Sequence, residues 1–166
     1  MPADNEEAVI IHPIQPVYDK DSEVLILGSF PSVKSREEGF FYGHPQNRFW
    51  KVTSSVFDEE PPRTTEKKKA FLIRNHIALW DVIGSCDIDG SSDSSIRNVQ
   101  VNDISKILTI SDIKAIYLNG KKAYHLYQKY MQPIINKEGI CLPSTSPANA
   151  AWSPERLIKA WSIIRT

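Results

Sequence analysis

The chain has 166 residues, of which 41% are hydrophobic and 10% aromatic, values that are ordinary for a globular domain. Its 20 basic and 20 acidic residues balance. This balance excludes a protein that binds nucleic acid over its whole surface, so any such contact has to be local. No apolar run approaches the roughly 18 residues of a membrane span, and the acidic start lacks the features of a signal peptide. We therefore expect a single domain over residues 1–166 in a cytoplasmic, monomeric protein.

Cysteine and histidine are too scarce for the common metal or disulfide frameworks. Cys86 and Cys141 form no Cys-x-x-Cys pair, and the four histidines show no His-x-x-x-His spacing. The sequence therefore gives no support to metal catalysis.

In chain order, residues 1–23 contain three prolines and are predicted to form an extended N-terminal arm. The apolar run from Val24 to Leu27 ends at Gly28, as is typical of a buried strand that leads into a tight loop. Three more strands are predicted over 77–83, 113–118 and 140–142, and residues 84–98 are predicted to form a polar loop. Helices are predicted over 47–57, 63–75, 102–108, 121–130 (ending near Pro133), and from Ser153 onward.

Alternating strands and helices predict an α/β fold, a four-stranded parallel sheet sandwiched between helices. The loops at the strand ends then span 28–47, 81–95, 119–122 and 143–149. Because ligands bind outside the carboxyl ends of the strands in such sheets, we expect these loops to form one site. The loop from Phe41 to Trp50 holds aromatic rings, a histidine, two amides and an arginine within ten residues, which indicates a pocket for a flat, polar ligand.

Four segments of the chain resemble the hypoxanthine-DNA glycosylases of the uracil-DNA glycosylase superfamily. They are Gly28-Ser29-Phe30-Pro31-Ser32, Tyr42-Gly43-His44-Pro45-Gln46-Asn47-Arg48-Phe49-Trp50, Leu79-Trp80-Asp81-Val82 and Leu142-Pro143-Ser144-Thr145-Ser146-Pro147-Ala148-Asn149. The resemblance implies hydrolysis of the N-glycosidic bond of a deaminated base in DNA, without metal or organic cofactor. It also implies Asn47 as the catalytic amide, with Asn119 as a second candidate. Ser29 and Phe30 stand where uracil-specific members carry a water-activating aspartate.

Asn47 also has a structural interpretation, because an asparagine there can cap the helix that follows. For base binding, Phe30 or Phe41 could stack on a flipped base, or either ring could simply pack in the core. Asp81 could accept a hydrogen bond from the base N1–H, or pair with an arginine or cap its loop. His44 could protonate the base or contact a phosphate, or it could serve as a structural hydrogen-bonding group.

Contacts to the DNA backbone are predicted for the serine loops and for two lysines. Ser32, Ser144 and Ser146 lie in loops where exposed backbone N–H groups would also face phosphates. Lys121 and Lys122 add positive charge at a helix N-terminus, although a solvated lysine pair is a common alternative. Asn149 is the largest side chain of segment 147–150, which leaves no bulky wedge to replace an extruded base.

The resemblance and these residues together predict a monofunctional DNA glycosylase that acts on hypoxanthine. A broader enzyme that also removes uracil or xanthine stays open. A nucleic-acid-binding protein with an inactive site is a further alternative. An esterase is disfavoured because no Gly-x-Ser-x-Gly segment is present.

Overall fold

A computed structural model of the chain describes residues 9–11, 13–87 and 97–165. The strands are β1 (Val9–Ile11), β2 (Val24–Gly28), β3 (Ile77–Asp81), β4 (Ile83–Asp87), β5 (Arg97–Val101), β6 (Ala115–Asn119) and β7 (Gly139–Leu142). The α-helices are α1 (Val33–Glu38), α2 (Phe49–Val56), α3 (Thr65–Arg74), α4 (Ser105–Ile110), α5 (Lys121–Leu126), α6 (Gln132–Ile135) and α7 (Pro154–Trp161). None of these described helices is both long and apolar enough to cross a membrane.

The central sheet has four parallel strands in the order β3-β2-β6-β7, so the predicted α/β class and its parallel sheet are confirmed. Gly28 at the end of β2 lies opposite Asp81 at the end of β3. On the other side of β2, Asn119 ends β6 and lies opposite Leu142 of β7. The carboxyl ends of all four strands therefore meet at one edge, and the loops that follow them are brought together.

Helices cover both faces of this sheet because successive side chains of a strand point to opposite faces. Val24 and Ile26 of β2 face one core, whereas Leu25 and Leu27 face the other. The first core contains the buried rings Phe49, Phe71 and Trp161 from α2, α3 and α7, and the second contains Ile107, Leu126 and Tyr127. The apolar run of β2 is continuous because it is buried on both sides.

A second, three-stranded antiparallel sheet has the order β1-β4-β5 and was not predicted from the sequence. The prediction of one strand over 77–83 followed by a loop to residue 98 is wrong, because β3 ends at Asp81 and β4 begins at Ile83. The sequence Ile83-Gly84-Ser85-Cys86-Asp87 has little strand-forming character, and it forms a strand through pairing with β1, which is far away in sequence, and with β5, the next strand along the chain. Residues 88–96 of the predicted loop lie outside the described residues.

The predicted N-terminal arm lies along the edges of both sheets where it is described. Val9–Ile11 pairs with β4, and Val17 forms an antiparallel bridge with Leu79 of β3, with N–O distances of 3.0 and 2.9 Å. Ile14 and Val17 are buried. The described part of the arm is thus a structural component of the domain, while residues 1–8 and His12 lie outside the described residues.

The helical segment that starts at Lys121 runs beyond the predicted end near Pro133. A π-helical turn over Tyr127–Met131 joins α5 to α6, and the segment ends at Asn136, whose φ is +59°. Pro133 lies in the first turn of α6, directly after the π-helical turn, so the proline does not end the helical segment. The predicted start of the last helix is confirmed, because the Ser153 hydroxyl accepts a hydrogen bond from the Arg156 N–H.

Candidate active site

An open cavity of about 910 Å³ lies at the carboxyl edge of the central sheet. Its lining residues lie in segments 28–47, 119–123 and 141–152 and at Asp81, whereas the loops predicted at the strand ends span 28–47, 81–95, 119–122 and 143–149. The predicted convergence is confirmed for the loops after β2, β6 and β7, whereas only Asp81 of the predicted loop 81–95 lines the cavity. The polar groups of the cavity are amides, hydroxyls, one carboxylate, one imidazole and two lysine ammonium groups. Within the described part of the chain, no three His, Cys, Asp or Glu side chains gather as a metal site would require.

Gly28 allows Asp81 and Tyr42 to come close to the end of β2. A Cβ atom at position 28 would collide with the Asp81 carboxylate and would lie 2.9 Å from the Tyr42 hydroxyl oxygen. Asp81 is 3% exposed and lines the cavity. A glycine is therefore required here because the floor of the cavity leaves no room for a side chain.

Tyr42 forms part of the cavity wall and has a buried hydroxyl group. Its ring stacks on Phe49 with centroids 4.2 Å apart, and its backbone has a φ of +54°. Burial and the nearby Asp81 carboxylate raise the pKa of Tyr42 well above its usual value, and a weaker opposing effect comes from the Asn119 amide. The phenol consequently stays protonated next to the carboxylate.

Hydrogen bonds through Thr145 join Asn47 and Asn119. The Thr145 hydroxyl donates to Asn47 Oδ1 at 2.9 Å and accepts from Asn119 Nδ2 at 3.0 Å. The Thr145 N–H donates to Asn119 Oδ1 at 3.1 Å. Asn47 Oδ1 also accepts the Phe49 N–H at 3.0 Å. Asn47 thus contacts the first residue of α2 from the position before Arg48, which is the N-cap of that helix. Both predicted amides thus line one cavity and belong to one hydrogen-bonded unit.

Arg48 holds the loop after β7 against the aromatic loop. Its guanidinium donates hydrogen bonds to the carbonyl oxygens of Ser146, Asn149 and Trp152. Its backbone N–H donates to the Thr145 carbonyl at 3.0 Å. One arginine therefore makes four hydrogen bonds to residues about 100 positions away, and it sets the position of Thr145 relative to Asn47.

The other residues predicted to bind the base all line the cavity, in three different environments. Phe30 is partly exposed, and the Arg36 guanidinium lies over its ring at 5.5 Å. Phe41 is 2% exposed and packs edge-to-face against Phe40. His44 is exposed, and its Nδ1 accepts the Gln46 N–H at 3.1 Å, which leaves Nε2 to face solvent or a ligand. Base stacking and base protonation by these residues stay predictions.

The serine residues line the cavity, but their loops differ from the prediction of exposed backbone N–H groups. The N–H groups of Thr145, Ser146 and Ala148 donate to the side chains of Asn119, Ser144 and Ser146, and the Asn149 N–H donates to a carbonyl. For these four N–H groups the prediction is wrong, because side chains or a carbonyl of the folded loop already accept their hydrogen bonds. Ser32 likewise caps α1 by accepting the Ser35 N–H. The Ser144 and Ser146 hydroxyl protons can still be donated to a phosphate.

Lys121 and Lys122 are exposed at the rim of the cavity, in the first turn of α5. Asn149 also lines the cavity, and its side chain donates to the Ser144 carbonyl at 3.0 Å. Cys141 lies beside Lys121, and partial burial raises the pKa of its thiol. The DNA contacts of the lysines and of Asn149 stay predictions.

Tyr42, Arg48 and Thr145 contribute to the site although no role was predicted for them from the sequence. Two local signals were present, because Arg48 directly follows Asn47 and Thr145 is the central residue of the Ser-Thr-Ser loop. The carbonyl partners of Arg48 lie about 100 residues away, and the amide partners of Thr145 lie 98 and 26 residues away, so only the folded chain brings these groups together.

Comparison with known proteins places this arrangement in a family. The family model described as the uracil DNA glycosylase superfamily matches residues 15–165. The chain belongs to the uracil DNA glycosylase superfamily. All four segments that line the cavity lie within the matched residues, so the superfamily match covers the whole candidate site.

Individual members of the superfamily are similar to the chain over most of its length. A protein of Methanosarcina acetivorans named hypoxanthine DNA glycosylase is 35% identical over 145 residues, which are 84% of this chain and 89% of the relative. A protein of the same name from Methanosarcina barkeri is 34% identical over 65% of this chain and 70% of its own length. A solution NMR structure from M. acetivorans, provisionally described as a uracil DNA glycosylase, matches with a TM-score of 0.79 and 33% identity, covering 94% of this chain and 98% of the other.

Proposed function

We propose that this chain is a monofunctional DNA glycosylase that hydrolyses the N-glycosidic bond of hypoxanthine in DNA. The observation that carries the proposal is the pair of amides, Asn47 and Asn119, held by Thr145 beside Asp81 in one open cavity. Two relatives named hypoxanthine DNA glycosylase support the choice of base. Removal of a deaminated base places this activity in base excision repair.

Breaking the bond between deoxyribose and a purine develops positive charge on the sugar and negative charge on the departing base. The enzyme has to hold the base, stabilise this separation of charge and position a water molecule. Amide groups suit a dissociative reaction because they can orient the water molecule and donate hydrogen bonds, and such a reaction does not require them to remove a proton from the water. We assign these tasks to Asn47 and, beside it, Asn119.

Recognition of the base is assigned to Asp81 and to the aromatic wall. The N1–H group of hypoxanthine can donate a hydrogen bond to the Asp81 carboxylate. The N1 atom of adenine is itself a hydrogen-bond acceptor, so the carboxylate would repel it. The flipped base then stacks against Phe30 or Phe41. Deaminated and mispaired bases leave the duplex at the lowest cost, which compensates for the lack of a bulky wedge in segment 147–150.

The DNA strand is held at the cavity rim by Lys121, Lys122 and the hydroxyl groups of the serine loops, with Asn149 beside them. Such contacts place the backbone without reading sequence. The neutral net charge fits a binding surface that is limited to this edge of the molecule.

One observation favours a broader activity as the second candidate. A carboxylate acceptor at the floor of the cavity suits any base that carries an N–H next to a carbonyl group, and uracil and xanthine share this feature with hypoxanthine. Ser29 and Phe30, rather than an aspartate, follow β2, so a uracil reaction would lack a strong water-activating base from that loop.

The test uses purified protein and labelled duplexes with a single hypoxanthine, uracil, xanthine or adenine, with strand cleavage by alkali after the reaction. We expect hypoxanthine to be released fastest and adenine to be retained. Comparable rates on uracil would establish the broader enzyme. Strand breaks without alkali would contradict the monofunctional assignment, and no release of any base would contradict the proposed function.

A further inference from the structure

The side chain of Thr145 lies between the two amides and is completely buried. Its hydroxyl has one proton, and this proton is given to Asn47 Oδ1. The hydroxyl oxygen accepts from Asn119 Nδ2, while the Thr145 N–H donates to Asn119 Oδ1. A backbone N–H can only donate, so this last contact fixes which end of the Asn119 amide is oxygen and which is nitrogen. The direction of the chain of hydrogen bonds is therefore determined: Asn119 donates to Thr145, and Thr145 donates to Asn47.

The same reasoning fixes the orientation of Asn47. Its Oδ1 accepts the Phe49 N–H as well as the Thr145 hydroxyl, and a carbonyl oxygen has two lone pairs. Both acceptor positions are therefore occupied before any substrate binds. The group that Asn47 can offer to the cavity is its NH₂, which only donates.

We propose that Thr145 is a positioning residue that couples Asn47 to Asn119 and fixes Asn47 as a hydrogen-bond donor to the reacting groups. This inference rests on the proposed function of the site and adds to it the direction in which the Asn47 amide works. Thr145 acts through the two amides. A donor at this position can hold a water molecule by its oxygen, or can donate to an oxygen or nitrogen that gains negative charge.

Three variants test the coupling by their single-turnover rates on a hypoxanthine duplex. Thr145→Val removes the hydroxyl and keeps the shape, and we expect a rate loss of roughly tenfold to a hundredfold, the size produced by small misplacements of reacting groups. Thr145→Ser restores a hydroxyl and should recover most of that loss. Thr53→Val is the matched control, because Thr53 is also fully buried and donates to the Phe49 carbonyl, yet it does not line the cavity. We expect the control to lose stability without losing rate.

A double-mutant cycle separates positioning from general damage. If Thr145 works through Asn47, then Thr145→Val should have a much smaller effect in the Asn47→Ala background than in the wild-type chain. Equal rate losses in both backgrounds, or no rescue by Thr145→Ser, would overturn the proposal.

The donor role is tested with Asn47→Asp, which keeps an oxygen for the Phe49 and Thr145 donors and replaces NH₂ with a second oxygen. We expect a loss as large as that of Asn47→Ala. Activity near that of the wild type would show that the position works as an acceptor and would overturn the donor assignment.

A readout without catalysis keeps this inference distinct from the proposed function. The side-chain NH₂ resonances of Asn119 in ¹⁵N-labelled protein should shift in Thr145→Val, which loses their acceptor, and should stay in place in Thr53→Val. Unchanged Asn119 resonances would contradict the hydrogen-bond chain. A wild-type protein inactive on every base would contradict the proposed function, while the NMR comparison would still report on Thr145.

Discussion

The side chains of Asn47 and Thr145 are 98 residues apart in sequence and share a hydrogen bond of 2.9 Å. This contact joins the aromatic loop after β2 to the serine-proline loop after β7. The Arg48 N–H strengthens the junction by donating to the Thr145 carbonyl, so the two loops are held at adjacent positions. Two of the segments that line the candidate active site are therefore joined directly, and the position of Asn47 in the cavity depends on this junction.

Replacing Asn47 with alanine tests whether the amide takes part in the reaction or only begins a helix. We expect the single-turnover rate to fall by roughly 10²–10³, or about 2.7–4 kcal/mol, as when one preorganised donor is removed from an oxyanion site. Stability should also fall by about 1 kcal/mol because the Phe49 N–H loses its acceptor.

The control for Asn47→Ala is Ser153→Ala, which removes the hydroxyl that caps α7 outside the cavity. It should lower the melting temperature by a similar amount and leave the rate unchanged. A variant Asn47→Ala that binds DNA, melts earlier and still cleaves at the wild-type rate would remove Asn47 from the mechanism.

The Asp81 carboxylate is expected to recognise N1–H of the base. In Asp81→Asn the charged acceptor becomes a neutral one, so excision of hypoxanthine should slow by about tenfold, or about 1.4 kcal/mol. A duplex with 1-deazahypoxanthine, which has C–H in place of N1–H, should be cleaved at the same rate by both proteins. The exposed Asp112→Asn serves as the control outside the cavity. An equal loss on both substrates would assign Asp81 to structure rather than to recognition.

The two lysines at the cavity rim should act on DNA binding and not on base choice. The double variant Lys121→Ala with Lys122→Ala should bind damaged and undamaged duplexes more weakly. The slope of the logarithm of the binding constant against the logarithm of the salt concentration should become shallower by up to about 2. A double variant Lys67→Ala with Lys106→Ala removes the same charge from exposed positions outside the cavity. If both double variants change the slope equally, then the lysines at the rim have no specific contact with phosphate.

Arg48 is expected to hold the loop from Ser146 to Trp152 through the fork of its guanidinium. Lysine cannot bond all three carbonyl groups in the same geometry, so Arg48→Lys should lower the free energy of unfolding by about 1.5–3 kcal/mol, the value of one hydrogen bond to a charged group. Limited proteolysis should then cut this loop faster. Arg63→Lys, at an exposed position, should change neither quantity. An unchanged cleavage rate in Arg48→Lys would show that other contacts hold the loop.

Local patterns in the sequence were sufficient for the central sheet and for the residues around the cavity. The apolar run before Gly28 predicted a strand buried on both faces, because such runs arise where helices cover both sides of a sheet. Ser153 and Pro154 predicted the start of the last helix because capping is decided within four residues. The carboxyl ends of parallel strands share one edge, so the order of strands and loops already predicted which segments meet there.

Two features follow only from the tertiary structure: the formation of the second sheet and the hydrogen-bond partners of individual polar groups. The strand from Ile83 to Asp87 has few strongly strand-forming residues, and it pairs with β1 from a distant part of the chain as well as with β5, the next strand. The backbone donors of the serine loop are satisfied internally, which a list of residue types does not reveal. Most of all, Thr145 looks like an ordinary loop residue in sequence. The role proposed for it rests on a hydroxyl that contacts two amides at once, and that geometry exists only after folding.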